Sequence, residues 1–547
     1  MPVRQAIFAF GKIRTGYGHR VLDTVDDNSV TRVFDAVLCD RDDTLIRDVP
    51  RISDPGLVVP MPGARRALDR LRAAGLRIGV VSNQAAVGDG YTTRAQADAV
   101  DARVEQLLGP FGSWQLCCHT RDGGCGCRKP APGLIQAAAR ELGVLPHRCV
   151  VIGDIGTDLA AAAAAGATGL LVPTARTRAE EISAAAYRAD DLGAAADWIL
   201  ARQDVLRPGP ARSGQPGHVL AVRTDSAGDV LLMGPAIRAL ATHAREVTLL
   251  TGPLGEAAGR LLPGVTRTLV WRTPWIERDA AAVEPSEVDR LVRTVRELSV
   301  DEAVVFTSFH QSPLPMALLL RLAGVGRISA ISEDYPGALL DVRHHVPDDL
   351  PEAQRALSLA AAAGHVLPDG DDGRLRTNLP AADTRGRLVV VHPGANAGAR
   401  GIPRKRAVGI VQALAQAGYE VAVTGGPGEA ELTAEVAGDV ATDLGGQTDW
   451  AALGRLLARS ACLVVGNTGP AHLAAAVGTP VVSLYAPTVP LARWGPYAVP
   501  HVRLGDPDAP CRDSRAVNCT LPGHPCLGAI DPNEVVAAVD RLLGSAS

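Results

Sequence analysis

An α/β chain of tandem sheet units is predicted for this sequence, on three observations. Short apolar runs recur along it, separated by alanine-rich stretches with helical character. The runs are apolar throughout rather than alternating, as in parallel strands covered on both faces. A stretch dense in proline and glycine, Arg207 to Gly217, breaks the series in the manner of a linker.

Taken in order, residues 1–32 show no clean period and form an N-terminal extension without an assigned role. Val33 to Cys39, Leu76 to Val81 and Cys149 to Ile152 are the expected strands of a first domain over residues 33–200. Residues 201–217 are the linker. A second series, Val219 to Val222, Val247 to Leu250 and Ala303 to Phe306, makes a lobe over residues 218–380. A third, Leu388 to Val391, Val421 to Val423, Cys462 to Val465 and Val481 to Leu484, makes another over residues 381–547. Two such lobes in tandem enclose a cleft at the carboxyl ends of their strands, where ligands bind.

At 547 residues the chain exceeds what one core supports. A net charge of −4 argues against a nucleic-acid binder, which needs a broad cationic face. No apolar run is long enough to span a bilayer, so a soluble chain is expected, with peripheral membrane contact left open. Ten cysteines in this length do not read as a disulfide scaffold, and the opening residues do not read as a secretory signal. A reducing cytoplasm is the expected compartment. Lysine occurs only at positions 12, 129 and 405, which singles out Lys129 beside a cysteine cluster.

In the first domain each expected strand ends in a reactive residue. Asp40-Arg41-Asp42-Asp43-Thr44 leaves the first strand, with Asp40 placed to attack phosphorus and Asp42 to protonate the leaving oxygen. Ser82-Asn83-Gln84 leaves another and offers hydroxyl and amide donors to phosphate oxygens. Lys129 can neutralise developing charge, and Gly153-Asp154-Ile155-Gly156-Thr157-Asp158 brings late carboxylates suited to Mg²⁺. Each piece alone is more often a turn or a helix cap; four in order at strand ends point to chemistry. Cys117, His119, Cys125 and Cys127 lie within eleven positions with glycines among them, a pattern that suits one structural Zn²⁺, with Cys118 an alternative to Cys117.

This combination resembles the haloacid dehalogenase (HAD) superfamily. The zinc pattern followed by Arg128-Lys129-Pro130-Ala131-Pro132-Gly133 resembles its heptose 1,7-bisphosphate phosphatases and the related histidinol-phosphate phosphatases. The resemblance implies a Rossmann-like domain and an aspartyl-phosphate at Asp40 with acid/base work by Asp42. It also implies Mg²⁺ held by Asp40, Asp154 and the Asp42 carbonyl, and substrate contacts from Thr44, Ser82, Asn83, Arg128 and Lys129. Asp43 stands where that family commonly has glycine, and Ile155 where some members have lysine.

In the second half, Val219 to Leu232 runs from strand through Gly228 into a helix, setting Asp229 at the helix start where it can take a proton from a sugar hydroxyl. His392-Pro393-Gly394, Gly425-Gly426 and Gly466-Asn467-Thr468-Gly469-Pro470-Ala471-His472 end later strands, and the last exposes backbone N–H groups suited to a diphosphate. Together these segments resemble glycosyltransferase family 9, the heptosyltransferases that use ADP-heptose. The resemblance implies a GT-B fold of two Rossmann-like lobes and metal-independent inverting transfer, with Asp229 as base. Arg400, Asn467, Thr468, Gly469 and His472 would hold the nucleotide-sugar donor, with no cofactor. Asn467 stands where many members have aspartate.

The expected protein is a bifunctional enzyme, a Mg²⁺-dependent sugar phosphatase fused to a glycosyltransferase, its acceptor unassigned. The alternative is a histidinol-phosphate-type phosphatase fused to a weakly catalytic sugar-nucleotide binding module.

Overall fold

The computed structural model describes residues 32–120, 123–209, 214, 216–277, 280–382 and 385–544. Apart from Arg32 the expected extension lies outside these residues, as does part of the linker.

The first sheet contains β1 (Ala36–Cys39), β2 (Arg77–Asn83), β3 (Ser113–Cys117), β4 (Cys149–Gly153) and β5 (Thr168–Leu171), in the spatial order β3-β2-β1-β4-β5. The second contains β6 (His218–Arg223), β7 (Glu246–Thr251), β8 (Arg267–Val270), β9 (Glu302–Val305), β10 (Arg327–Ile331) and β11 (Val342–His344), ordered β11-β10-β9-β6-β7-β8. The third contains β12 (Leu388–His392), β13 (Glu420–Gly425), β14 (Thr442–Gly445), β15 (Cys462–Gly466), β16 (Val481–Leu484) and β17 (His501–Leu504), ordered β14-β13-β12-β15-β16-β17. All the pairings are parallel, as the continuous apolar runs require.

In each sheet the strand order reverses beside the first strand, between β1 and β4, β6 and β9, and β12 and β15. Chains leaving two such neighbours diverge and leave a crevice. The register places Cys39 opposite Val80 and Ile152, so Asp40 emerges level with the ends of β2 and β4. β15 pairs Val465 with His392, which brings the Gly466 loop beside the His392-Pro393-Gly394 turn.

The helix Arg94–Leu108 shows how local sequence serves the site. Thr93 accepts from the Gln96 N–H while Gln96 accepts from the Thr93 N–H, closing a capping box. Val100, Val104 and Leu108 then bury one face, and Asp101 on that buried side binds Arg41.

One apolar cluster runs from Phe34 and Ile199 of the first domain to Leu357 and Val499 of the second half. Polar contacts cross the same boundary: the His147 ring bonds the Asp372 carbonyl oxygen and Arg374 Nε, at 3.1 and 3.0 Å.

Candidate active sites

Asp40 is the first residue past β1, and Lys129 meets it from the loop after the cysteine cluster. Lys129 Nζ lies 2.5 Å from Asp40, 2.6 Å from Asp158 and 2.9 Å from the Val81 carbonyl oxygen. Asp154 is the first residue past β4, and Asp158 follows in the first turn of the helix Gly156–Ala165. Oxygens of Asp40, Asp154 and Asp158 all lie within 4.8 Å of one another, and all three residues are buried.

Burial pushes the Asp40 carboxyl up to about 8; Lys129 opposes the rise while Asp158 and Asp42 add to it. Burial, and then Asp158, push Asp154 up to about 7. Burial works against the Lys129 ammonium, but Asp158 and Asp40 outweigh it, so the cation is held. Three buried carboxyl groups thus converge around one ammonium. A divalent, oxygen-seeking cation fits that donor set, and its charge would favour the ionised forms of Asp40 and Asp154 that burial disfavours.

The remaining expected residues divide in use. Thr44 Oγ1 and Arg128 Nη1 are buried without a hydrogen-bond partner among the described residues, as groups awaiting an anion would be. Ser82 Oγ accepts from Gln84 Nε2 at 2.9 Å. Asp42 lies outside the carboxylate trio: its oxygens accept from Arg41 at 3.1 Å twice and from Gln84 at 2.7 Å. Asn83, expected to offer its amide to phosphate, brackets the Lys129 backbone instead, accepting from its N–H and donating to its carbonyl oxygen, both at 3.0 Å. Asp43 adopts φ 54°, a conformation that favours glycine and that aspartate tolerates better than most residues.

The four residues of the cysteine cluster converge on one point. Cys117 Sγ lies 3.5 Å from His119 Nδ1 and 3.6 Å from Cys125 Sγ; Cys127 Sγ lies 3.2 Å from His119 Nδ1 and 3.5 Å from Cys125 Sγ. A tetrahedron built on Zn–S bonds of about 2.3 Å has edges of roughly 3.8 Å, close to these separations. Cys118 points elsewhere, accepting from Arg94 at 3.9 Å, so Cys117 completes the four.

In the second half the two motif glycines meet across the cleft. A side chain on Gly228 would come within 2.9 Å of the His472 ring and 3.2 Å of the Gly469 Cα, so only glycine lets the Asp229 helix approach the Gly469–Ala476 helix. Likewise a Cβ on Gly466 would collide with the Arg400 carbonyl oxygen, which ties the Arg400 turn to the loop. Asp229 accepts from Arg223 Nη2 at 3.0 Å, Ser226 Oγ at 2.8 Å and, from the opposite lobe, Trp494 Nε1 at 3.3 Å. Burial would raise the Asp229 carboxyl, but Arg223, Ser226 and Trp494 hold it below the usual carboxylate range. Burial pushes the His472 imidazole down to about 4, against the pull of Asp229, so the ring is neutral at pH 7.

Asn467 corrects an expectation. Its amide donates to the Ala486 carbonyl oxygen and accepts from the Ala486 N–H, both at 3.1 Å, joining the ends of β15 and β16 instead of facing the cleft. Aspartate could accept here but not donate, which accounts for the amide.

Sequence reasoning passed over Arg41, Asp101, Arg223, Glu352 and Trp494. Arg223 carried a signal, a cation inside the apolar strand β6. Glu352 and Trp494 carried none, because tertiary folding alone brings them beside Arg223 and Asp229.

The fold and these sites define a phosphoryl hydrolase joined to a two-lobed transferase. The HAD-hydrolase-like family matches residues 126–195, and glycosyltransferase family 9 (heptosyltransferase) matches residues 290–523. D-glycero-beta-D-manno-heptose-1,7-bisphosphate 7-phosphatase of Pseudomonas putida is 36% identical over 149 residues, which span 26% of this chain and 85% of that one. The corresponding alpha-anomer phosphatase of Mycobacterium tuberculosis is 39% identical over 116 residues, 20% of this chain and 61% of that one. The glycosyltransferase family 9 structure from Veillonella parvula aligns with 61% of this chain and 99% of its own at a TM-score of 0.52 and 16% identity, a likeness of fold. Through its first domain the chain belongs to the heptose-1,7-bisphosphate phosphatase family of HAD-like hydrolases, and it carries a glycosyltransferase family 9 domain after it.

Proposed function

We propose that the first domain removes one phosphate from a heptose 1,7-bisphosphate, and that the second transfers a heptose from ADP-heptose with inversion. The observation that carries the first half is Lys129 between Asp40 and Asp158, with unpartnered Thr44 and Arg128 donors nearby. Asp40 attacks phosphorus, the P–O bond to the sugar breaks, and Asp42 gives its proton to the leaving oxygen. Asp42 then takes a proton from the water that cleaves the aspartyl-phosphate. Lys129 and Arg128 balance charge on the transferring phosphoryl group. Asp40, Asp154, Asp158 and the Asp42 carbonyl would hold Mg²⁺, which supplies charge neutralisation at the phosphoryl oxygens.

Cys117, His119, Cys125 and Cys127 would hold a structural Zn²⁺, fixing the loop that delivers Arg128 and Lys129. Thiolates in that role suit a reducing, cytoplasmic setting. No described helix is long and apolar enough to cross a membrane.

For the transferase, Asp229 takes the proton from the acceptor hydroxyl while Thr468, Gly469, His472 and Arg400 contact the diphosphate, with no metal required. The meeting of Gly228 with Gly469 supports this reading, since it sets Asp229 against the donor loop. Asn467 supports it as well, because its bonds to Ala486 explain the amide without loss of catalysis.

Phosphate release from heptose 1,7-bisphosphate and from histidinol phosphate, compared at equal concentration, tests the first half. Faster release from the bisphosphate is expected, and preference for histidinol phosphate overturns the assignment. Donor binding and turnover in the parent and in Asp229→Ala test the second: an enzyme keeps most affinity and loses turnover, whereas a binding module shows affinity without turnover in both.

A further inference from the structure

The transferase carboxylate Asp229 rests on contacts that lead back to the phosphatase domain by two routes. Tyr187, which follows the helix Ala179–Ala184 and accepts from the Leu171 N–H at the end of β5, donates its hydroxyl to the Ala492 carbonyl oxygen at 2.9 Å. Ala492 belongs to the four-residue helix Leu491–Trp494, and Trp494 donates its indole N–H to Asp229. A helix that short has no stability of its own, so its position is set by what it is bonded to.

The second route starts on the helix Leu192–Gln203. Trp198 Nε1 donates to Asp349 at 3.2 Å, and Arg202 forms an ion pair with the same carboxylate. Three residues on, Glu352 opens the helix Glu352–Ala362 and lies 3.5 Å from Arg223 Nη2, the nitrogen that binds Asp229. The two routes share a base, since the Tyr187 and Trp198 rings pack at 4.9 Å. They also join at the far end, where Arg493 of the short helix lies 3.6 Å from Asp348.

We propose that the phosphatase domain is a positioning element of the transferase site, with Tyr187 acting on Asp229 through Trp494. Trp198 and Arg202 act on the same carboxylate through Glu352 and Arg223. The proposal rests on the reading of Asp229 as the transferase base, and it makes the fusion a mechanical requirement rather than a convenience of supply. Loss of the Tyr187 hydroxyl frees the short helix, and Trp494 then no longer fixes the carboxylate in one orientation.

The test uses the full chain and measures ADP release from ADP-heptose, water standing in for the acceptor hydroxyl. Phosphate release from p-nitrophenyl phosphate is the internal control. Tyr187→Phe is expected to slow ADP release at saturating donor by about 2–10-fold, the range for one hydrogen bond. KM for ADP-heptose and the phosphatase rate should stay at parental values. In a Trp494→Phe background the same substitution should have no further effect. Ser183→Ala, which removes a hydroxyl bonded to Asp508 on neither route, should leave both rates alone. An unchanged rate in Tyr187→Phe, an equal loss of both activities, an equal loss in Ser183→Ala, or additive effects with Trp494→Phe overturns the proposal. Failure of the underlying reading looks different: Asp229→Asn would then keep its ADP release.

Discussion

The side-chain amide of Asn83 holds both backbone groups of Lys129, 46 residues away, through two 3.0 Å hydrogen bonds. The end of β2 thereby fixes the lysine that reaches Asp40. Asn83→Ala should leave the fold intact and lower phosphatase kcat by about 10-fold or more, since a displaced cation stabilises developing charge poorly. Lys129→Met should cost more, on the order of 10²–10³ in kcat. Steady-state kinetics with matched melting curves check both, and equal rates for Asn83→Ala and the parent would count against the positioning role.

One zinc per chain is expected, bound between β3 and the Lys129 loop. Cys125→Ser should reduce the stoichiometry, measured by elemental analysis, and lower phosphatase turnover together with the stability of the first domain. ADP binding should be far less affected, because the four ligands belong to the first domain alone. Full zinc content in Cys125→Ser would remove that residue from the ligand set.

Asn467→Asp should destabilise the donor lobe by about 1–3 kcal/mol, the cost of leaving the buried Ala486 carbonyl oxygen without its donor. Urea unfolding measures it, and hydrogen exchange at the Ala486 amide localises it. A variant as stable as the parent would show that the clamp does not hold β15 to β16.

Three buried histidines should each contribute a loss of stability as the pH drops from about 6.5 towards 4, opposed in sign by the raised Asp40 and Asp154 carboxyls. Burial pushes His147, His344 and His472 each down to about 4 in the folded chain. Between those values the histidines, near 6.5 in the unfolded chain, bind more protons there than in the folded one, so their contribution favours unfolding with acid. For His472, 6% exposed, the slope is on the order of 1.4 kcal/mol per pH unit; the other two are less buried and contribute less. Replacing His472 with Gln should remove that contribution from the slope of stability against pH in that window, and an unchanged slope would contradict the neutral-imidazole assignment.

The central strands were legible in the sequence and most edge strands were not, for a physical reason. β1, β4, β12 and β15 are buried on both faces and read as unbroken apolar runs. β3, β8, β11, β14 and β17 lie at sheet edges, half-covered, and carry Gln115, Arg267, Arg343, Asp443 and Arg503 within them. The sites divide in the same way. Asp40, Lys129 and Asp229 follow strand ends or sit in local motifs, so spacing exposes them. Asn83 and Asn467 sit in the same motifs, yet their amides turn to the backbones of Lys129 and Ala486, a choice that only tertiary packing makes. Asp158 was visible among the late carboxylates, but its direct contact with Lys129 depends on how the helix Gly156–Ala165 turns its first residues inward.

The most direct test of the account is a rapid-quench experiment with heptose 1,7-bisphosphate carrying ³²P at the phosphate that leaves. Acid quenching within one turnover should trap label on the protein, sensitive to hydroxylamine and mapping to the peptide that contains Asp40. Asp40→Asn should neither trap label nor release phosphate. Phosphate release from the parent with no trapped label, together with an active Asp40→Asn, would contradict the assignment of Asp40 as the nucleophile.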